Sequence, residues 1–204
     1  MNRPTPTKNH FETLNKYLGI IEGNLGKARC KDLKEVTNKV LAEKKESVTH
    51  ELAGNLEHEY KMPKEGINIY WPVILDEMNR YFFHNRWQLT GTWVNFQKKH
   101  EFNPIHHHNG DYSFVIWLDI PYNIEDELNH PSTKNSNVPI ASAFSLLYTD
   151  PYGNIAGRPF LLDKKDCGKF VIFKSSMPHL VYPFATSDKY RVSISGNLID
   201  KLKS

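Results

Sequence analysis

Apolar residues recur at helical spacing near the start of the chain. Leu14, Leu18, Ile21 and Leu25 form one run, and Leu33, Val36, Val40 and Leu41 another, with charged residues between them. This predicts helix from about His10 to Thr49, divided in two by Gly23 and Gly26, after a flexible start over residues 1–9. Residues 50–65 show no clear period. Within them His58, flanked by Glu57 and Glu59, reads as a surface histidine, because neighbours in a helix point apart. Further on, Ile67, Tyr70, Trp71, Ile74, Met78, Tyr81 and Phe82 make a wide stripe that predicts a helix laid across a sheet. Proline fits only the first turn of a helix, so Pro72 sets the predicted start near Tyr70.

The period then changes to two. Along Leu89–Lys98, Thr92, Val94 and Phe96 fall on one face, and Trp93, Asn95 and Gln97 on the other. Strands are predicted at Tyr112–Asp119, Ala141–Thr149, Lys169–Lys174, Pro178–Phe184 and Tyr190–Leu198. Asp150-Pro151-Tyr152-Gly153 reads as a turn. Residues 120–140 are polar and hold Pro121, Pro131 and Pro139, which predicts a long loop. That loop and residues 150–165 are expected to frame a substrate pocket. Helices in front and short strands behind indicate an α+β chain: a helical extension over 1–65, then a β-sandwich or barrel over 66–204, as one continuous domain.

Composition narrows the class. With 39% hydrophobic and 12% aromatic residues the chain can build a globular core. A net charge of +3, spread along the chain, indicates neither nucleic acid nor a membrane surface as partner. Cys30 and Cys167 match no metal spacing or disulfide framework and read as reduced thiols. No apolar run is long enough for a membrane helix and no export signal is visible, so a cytoplasmic location is expected.

The chemistry gathers at Asn103-Pro104-Ile105-His106-His107-His108-Asn109-Gly110-Asp111. In extended chain His106 and His108 share a face and His107 takes the other, so two imidazoles can hold one metal ion. His179, in an apolar setting late in the chain, is the candidate third ligand. Asp111 is the alternative, since facial metal sites commonly use two histidines and a carboxylate. Failing that, Asp111 is a partner fixing an imidazole tautomer, or a turn residue. One hairpin beyond His179, Arg191 and Ser193 offer a guanidinium fork and a hydroxyl for an anion.

These motifs resemble the iron(II)- and 2-oxoglutarate-dependent dioxygenases, and more closely a small branch found in bacteria and tailed phages. The resemblance rests on Trp93 and Asn95, Asn103 to His108, Ser113, Phe173, Ser175, His179, Val181, Pro183, Arg191, Ser193, Ser195 and Asn197. It covers about residues 87–200, and departs from the wider family in having histidine at the usual aspartate position. It implies a double-stranded β-helix, a jelly-roll or cupin-like barrel with the N-terminal helices packed on it. Iron(II) would be held by His106, His108 and His179. Arg191, assisted by Ser193, would take the distal carboxylate of 2-oxoglutarate, with Asn95 and Asn197 as pocket donors and Trp93 and Trp117 as walls or core. Such a hydroxylase uses O2 to decarboxylate its small-molecule co-substrate while oxidising a second substrate, which the sequence does not name. A homodimer is one arrangement open to it. Two other readings stand beside it: a cupin-type metal dioxygenase or isomerase that needs no 2-oxoglutarate, and a non-catalytic metal-binding module.

Overall fold

The computed structural model describes residues 8–138 and 140–202. Most of the expected flexible start therefore lies outside the described residues, as does Pro139. The chain runs α1 (Lys8–Leu18), β1 (Ile21–Asn24), α2 (Lys27–Glu43), β2 (Glu59–Lys61), α3 (Lys64–Phe82), β3 (Trp87–Gln97), β4 (Asn103–His106), β5 (Tyr112–Asp119), α4 (Ile124–Asn129), β6 (Phe144–Thr149), β7 (Ile155–Phe160), β8 (Lys169–Lys174), β9 (His179–Val181) and β10 (Arg191–Asp200).

The strands form two antiparallel sheets. The larger has the order β1-β8-β5-β10-β3-β2, and the smaller β4-β9-β6-β7. From β3 onward the chain passes back and forth between them, and among the described residues no strand belongs to both sheets. Helices α2 and α3 cover one face of the larger sheet. There Leu33, Val36, Tyr70, Ile74 and Met78 meet Val94, Phe96, Phe114, Ile116 and Ile194. The other face packs on the smaller sheet through Val115, Trp117, Phe144, Phe160, Val171 and Phe173. β5 thus has core on both sides, which is why its sequence YSFVIWLD is nearly continuous in apolar residues.

Several sequence expectations are corrected. The N-terminal third is not two helices alone, because strand β1 separates them and pairs with β8. Gly23 is a strand residue there; a Cβ on it would lie 2.2 Å from the Phe170 ring, so only glycine permits this approach. Helix α3 begins at Lys64 and carries Pro72 in its interior. Asn68 and Pro72 are both exposed, so the interruption of the hydrogen-bond ladder lies on the solvent side of the helix. Tyr81 leaves the apolar stripe and is exposed. The 120–140 stretch contains α4, fastened by buried Glu127, which accepts hydrogen bonds from the N–H groups of Ala185 (2.9 Å) and Thr186 (2.8 Å) and from the Thr186 hydroxyl. His58 is buried, against the rings of Tyr60 and Tyr190.

The fold brings the free thiols of Cys30 and Cys167 together. Burial, with Cys167 alongside, pushes the Cys30 thiol up to about 12, which makes it a poor nucleophile. Among the described residues no helix is long and apolar enough to cross a membrane.

Candidate metal centre

β4 and β9 pair so that His106 stands opposite His179. Opposed residues on adjacent strands project to the same face, and this brings a distant histidine to the first one. His108 lies two residues beyond His106, and its N–H donates to the Ser175 carbonyl at 2.9 Å. Ring centroids are 4.2 Å apart for His106 and His179, 4.9 Å for His108 and His179, and 5.0 Å for His106 and His108. One nitrogen from each ring lies within 4.8 Å of the others. His107 points away and is exposed.

Backbone carbonyls choose the tautomers. The Nδ1–H of His106 donates to the Pro104 carbonyl at 2.7 Å, and that of His179 to the Met177 carbonyl at 3.0 Å. A carbonyl can only accept, so in both rings Nε2 keeps its lone pair. Burial holds all three imidazoles below the usual histidine range. It takes His179 down to about 3 and His108 to about 4, with the other histidines adding to the effect, and it lowers His106 as well. Three neutral imidazoles with no thiolate among them suit a first-row transition metal such as iron(II).

Asp111 is elsewhere. Its Oδ2 accepts the Asp200 N–H at 2.7 Å, and its own N–H donates to the Leu198 carbonyl at 2.8 Å, which ties β5 to the end of β10. The preceding turn depends on Gly110 at φ 110°, where a Cβ would also come within 3.0 Å of the Leu198 carbonyl oxygen. The tautomer role considered for Asp111 is filled by the two carbonyls instead.

A small cavity adjoins the histidines. Trp93, Asn95, Gln97, Trp117, Arg191 and Ser193 are in its walls, with Leu56 and Asn103 from the segments before β2 and at the start of β4. Trp93 and Trp117 are both buried, so wall and core are one role here. Arg191, only 3% exposed, makes five hydrogen bonds. Nε and Nη2 donate to Gln97 Oε1 (3.0 and 2.6 Å), Nη1 to the Tyr122 hydroxyl (2.8 Å) and the Ser142 carbonyl (2.5 Å), and Nη2 to the Tyr182 carbonyl (2.8 Å). Every partner is neutral, and among the described residues no carboxylate forms an ion pair with this guanidinium. A buried cation without a counter-charge fits an incoming dianion such as 2-oxoglutarate.

Asn95 Nδ2 donates to the hydroxyls of Ser193 and Ser195, both at 3.2 Å, while its buried Oδ1 has no hydrogen-bond partner among the described residues. Asn197 is not in the cavity wall. Its Oδ1 accepts from Ser113 Oγ at 2.8 Å, and it lines a neighbouring groove beside His107 and His108. Residues 150–165 line neither this cavity nor that groove; Asp150 and Ile155–Leu161 border a separate groove beside α1. From 120–140, Tyr122 reaches Arg191. Sequence reasoning gave no role to Gln97, although its place on the Trp93–Asn95 face was the signal. It also missed Glu59, which is fully buried, with neither carboxylate oxygen hydrogen-bonded among the described residues. Burial, with Glu101 nearby, pushes the Glu59 carboxyl up to about 7.

The family model described as "Putative 2OG-Fe(II) oxygenase" matches residues 91–197, a little over half of the chain and all of the histidines and the arginine above. The chain belongs to the 2OG-Fe(II) oxygenase family. It is therefore an oxidoreductase, and this membership sets aside the cupin-type and non-catalytic readings. No curated protein matches the chain by sequence. Solved structures share its fold at low identity. A prolyl-4-hydroxylase from Pseudomonas putida is 13% identical, with 89% of this chain and 92% of that one covered and a TM-score of 0.58. A prolyl hydroxylase from Trichoplax adhaerens, in complex with a hypoxia inducible factor peptide, is 12% identical over 98% and 96% of the two chains, with a TM-score of 0.61. The non-heme alpha-ketoglutarate-dependent carbocyclase SnoK from nogalamycin biosynthesis is 12% identical over 96% and 84%, with a TM-score of 0.62.

Proposed function

We propose that this oxygenase holds iron(II) through His106, His108 and His179 and seats the distal carboxylate of 2-oxoglutarate at Arg191, with Ser193 alongside. The observation that carries the reading is the presence of three converging neutral imidazoles and one uncompensated buried guanidinium in the walls of a single cavity. Iron(II), when bound with 2-oxoglutarate and O2, supplies the oxidising chemistry that hydroxylates a second substrate. The chain does the rest. Its carbonyls aim Nε2 of His106 and His179, and Phe144 and Phe173 pack on the His179 ring at 5.7 and 4.9 Å, keeping water from it.

The two sheets are read as the faces of a double-stranded β-helix barrel, and the whole chain as one functional unit. Residues before 66 support this, since β1 and β2 extend the larger sheet and Leu56 reaches the cavity. The second substrate is proposed to approach through a groove of about 710 Å³ between residues 48–62 and β3, which shares Trp93 and His108 with the metal cavity.

Anaerobic titration of the protein with iron(II) and then 2-oxoglutarate tests the reading. A visible charge-transfer absorption is expected, together with stoichiometric iron that is lost in His179→Ala. Iron bound without any response to 2-oxoglutarate would overturn the assignment of Arg191.

A further inference from the structure

We infer that the Gln97 side chain occupies the carboxylate seat on Arg191, and that 2-oxoglutarate binds by displacing it. Gln97 thereby sets co-substrate affinity and the preference for a dicarboxylate. The inference rests on the reading that Arg191 receives the co-substrate.

A guanidinium has five N–H donors, and the five hydrogen bonds of Arg191 use all of them. An arriving carboxylate must therefore replace an acceptor already present. The Ser142 and Tyr182 acceptors are main-chain carbonyls in segments that are themselves joined, since the Tyr182 N–H donates to the Ala143 carbonyl at 2.8 Å. The Tyr122 ring is buried and packed against Phe184, with ring centroids 5.2 Å apart. Gln97 is the acceptor on a flexible side chain, and it lines the cavity alongside Arg191.

The geometry at Gln97 is that of a substitute. Its single Oε1 receives both Nε–H and Nη2–H, the edge that a carboxylate would engage with two oxygens. Its Nε2 donates to the Glu101 carbonyl at 2.5 Å, so the amide has an anchor of its own away from the arginine. Exchange replaces a neutral acceptor by a charged one, which strengthens each bond and neutralises a cation that the fold leaves uncompensated.

The test is calorimetric titration of the iron(II)-loaded protein, without oxygen, with 2-oxoglutarate and separately with pyruvate, which lacks the distal carboxylate. Removing the competitor in Gln97→Ala is expected to tighten 2-oxoglutarate binding by about tenfold and to leave pyruvate unchanged. Gln97→Met, of similar length but with no acceptor oxygen, gives the same readout should the alanine variant not fold. Gln97→Glu keeps a carboxylate on the fork and is expected to weaken 2-oxoglutarate by at least about a hundredfold, again sparing pyruvate and iron. Weaker 2-oxoglutarate binding in Gln97→Ala, or equal changes for both acids, would show that Gln97 only supports the pocket and would overturn the inference. A wild-type protein that binds iron but not 2-oxoglutarate would remove the parent reading and this one with it.

Discussion

Among the described residues two arginines are buried, Arg158 and Arg191, and the regions around them differ in one respect. Arg158, 6% exposed, lies beside α1 between the rings of Phe11 and Phe160, each 4.1 Å from its guanidinium carbon. It pairs with Glu22 at 2.7 Å and donates to Asn15 Oδ1 at 3.1 Å. Arg191 is as deeply buried and more fully hydrogen-bonded, with five bonds to the three of Arg158, but its acceptors are an amide, a hydroxyl and two carbonyls. The first site is complete within the chain and the second lacks an anion. Hydrogen-bond satisfaction is therefore a poor guide to which buried cation is functional; the missing counter-charge separates them.

The largest expected effect tests this contrast directly. Arg191→Met should lower 2-oxoglutarate affinity by at least about a hundredfold, since a charge-assisted fork is lost, and should leave iron binding intact. Calorimetry on the iron-loaded protein measures both. Arg158→Met should do the reverse. It leaves Glu22 without its cation, costs roughly 2–3 kcal/mol in urea unfolding, and does not change the 2-oxoglutarate isotherm. If the two variants behaved alike, the distinction between a closed and an open cation would fail.

An acid sharpens the comparison from the other side. Glu59 is buried with no hydrogen-bond partner among the described residues, and its carboxyl is raised from 4.5 to about 7. The folded state thus holds this proton more tightly than the unfolded state. Its contribution is fully favourable below about pH 4.5 and is lost as pH rises through about 7. Glu59→Gln should accordingly be near neutral at pH 5 and stabilise by roughly 2 kcal/mol at pH 8. Thermal unfolding at the two pH values reads this out, and a pH-independent difference would contradict it. The smallest effect belongs to Asp111, the acid whose partner is a backbone N–H. Asp111→Asn should cost about 1 kcal/mol of stability and leave iron affinity unchanged. A large loss of iron would return Asp111 to the ligand set.

How much was legible from the chain can be judged strand by strand. The bounds of β5 and β8 follow from their continuous apolar runs, and the two faces of β3 from alternation. β1 was not legible, since four residues with one glycine between two helices carry no period and gain their conformation from pairing with β8. The start of α3 was misplaced because an interior proline costs a hydrogen bond and a clash with the preceding turn, whereas here the interruption lies on the exposed side of a helix that packing holds elsewhere. His58 was misread because its burial comes from Tyr60 and Tyr190, and Tyr190 is far away in the chain.

The same division runs through the site. The sequence alone determined that His106 and His108 share a face, that His107 does not, and that Arg191 and Ser193 lie on one side of a late strand. Each statement needs only the two-residue repeat of an extended chain. The tertiary structure decided that His179 completes the group, through the register of β4 against β9, and that Asp111 turns instead to the end of β10. It also decided that Gln97 holds the arginine and that, among the described residues, no carboxylate does. Periodicity says which way a side chain points, and only the pairing of distant strands says what it meets there.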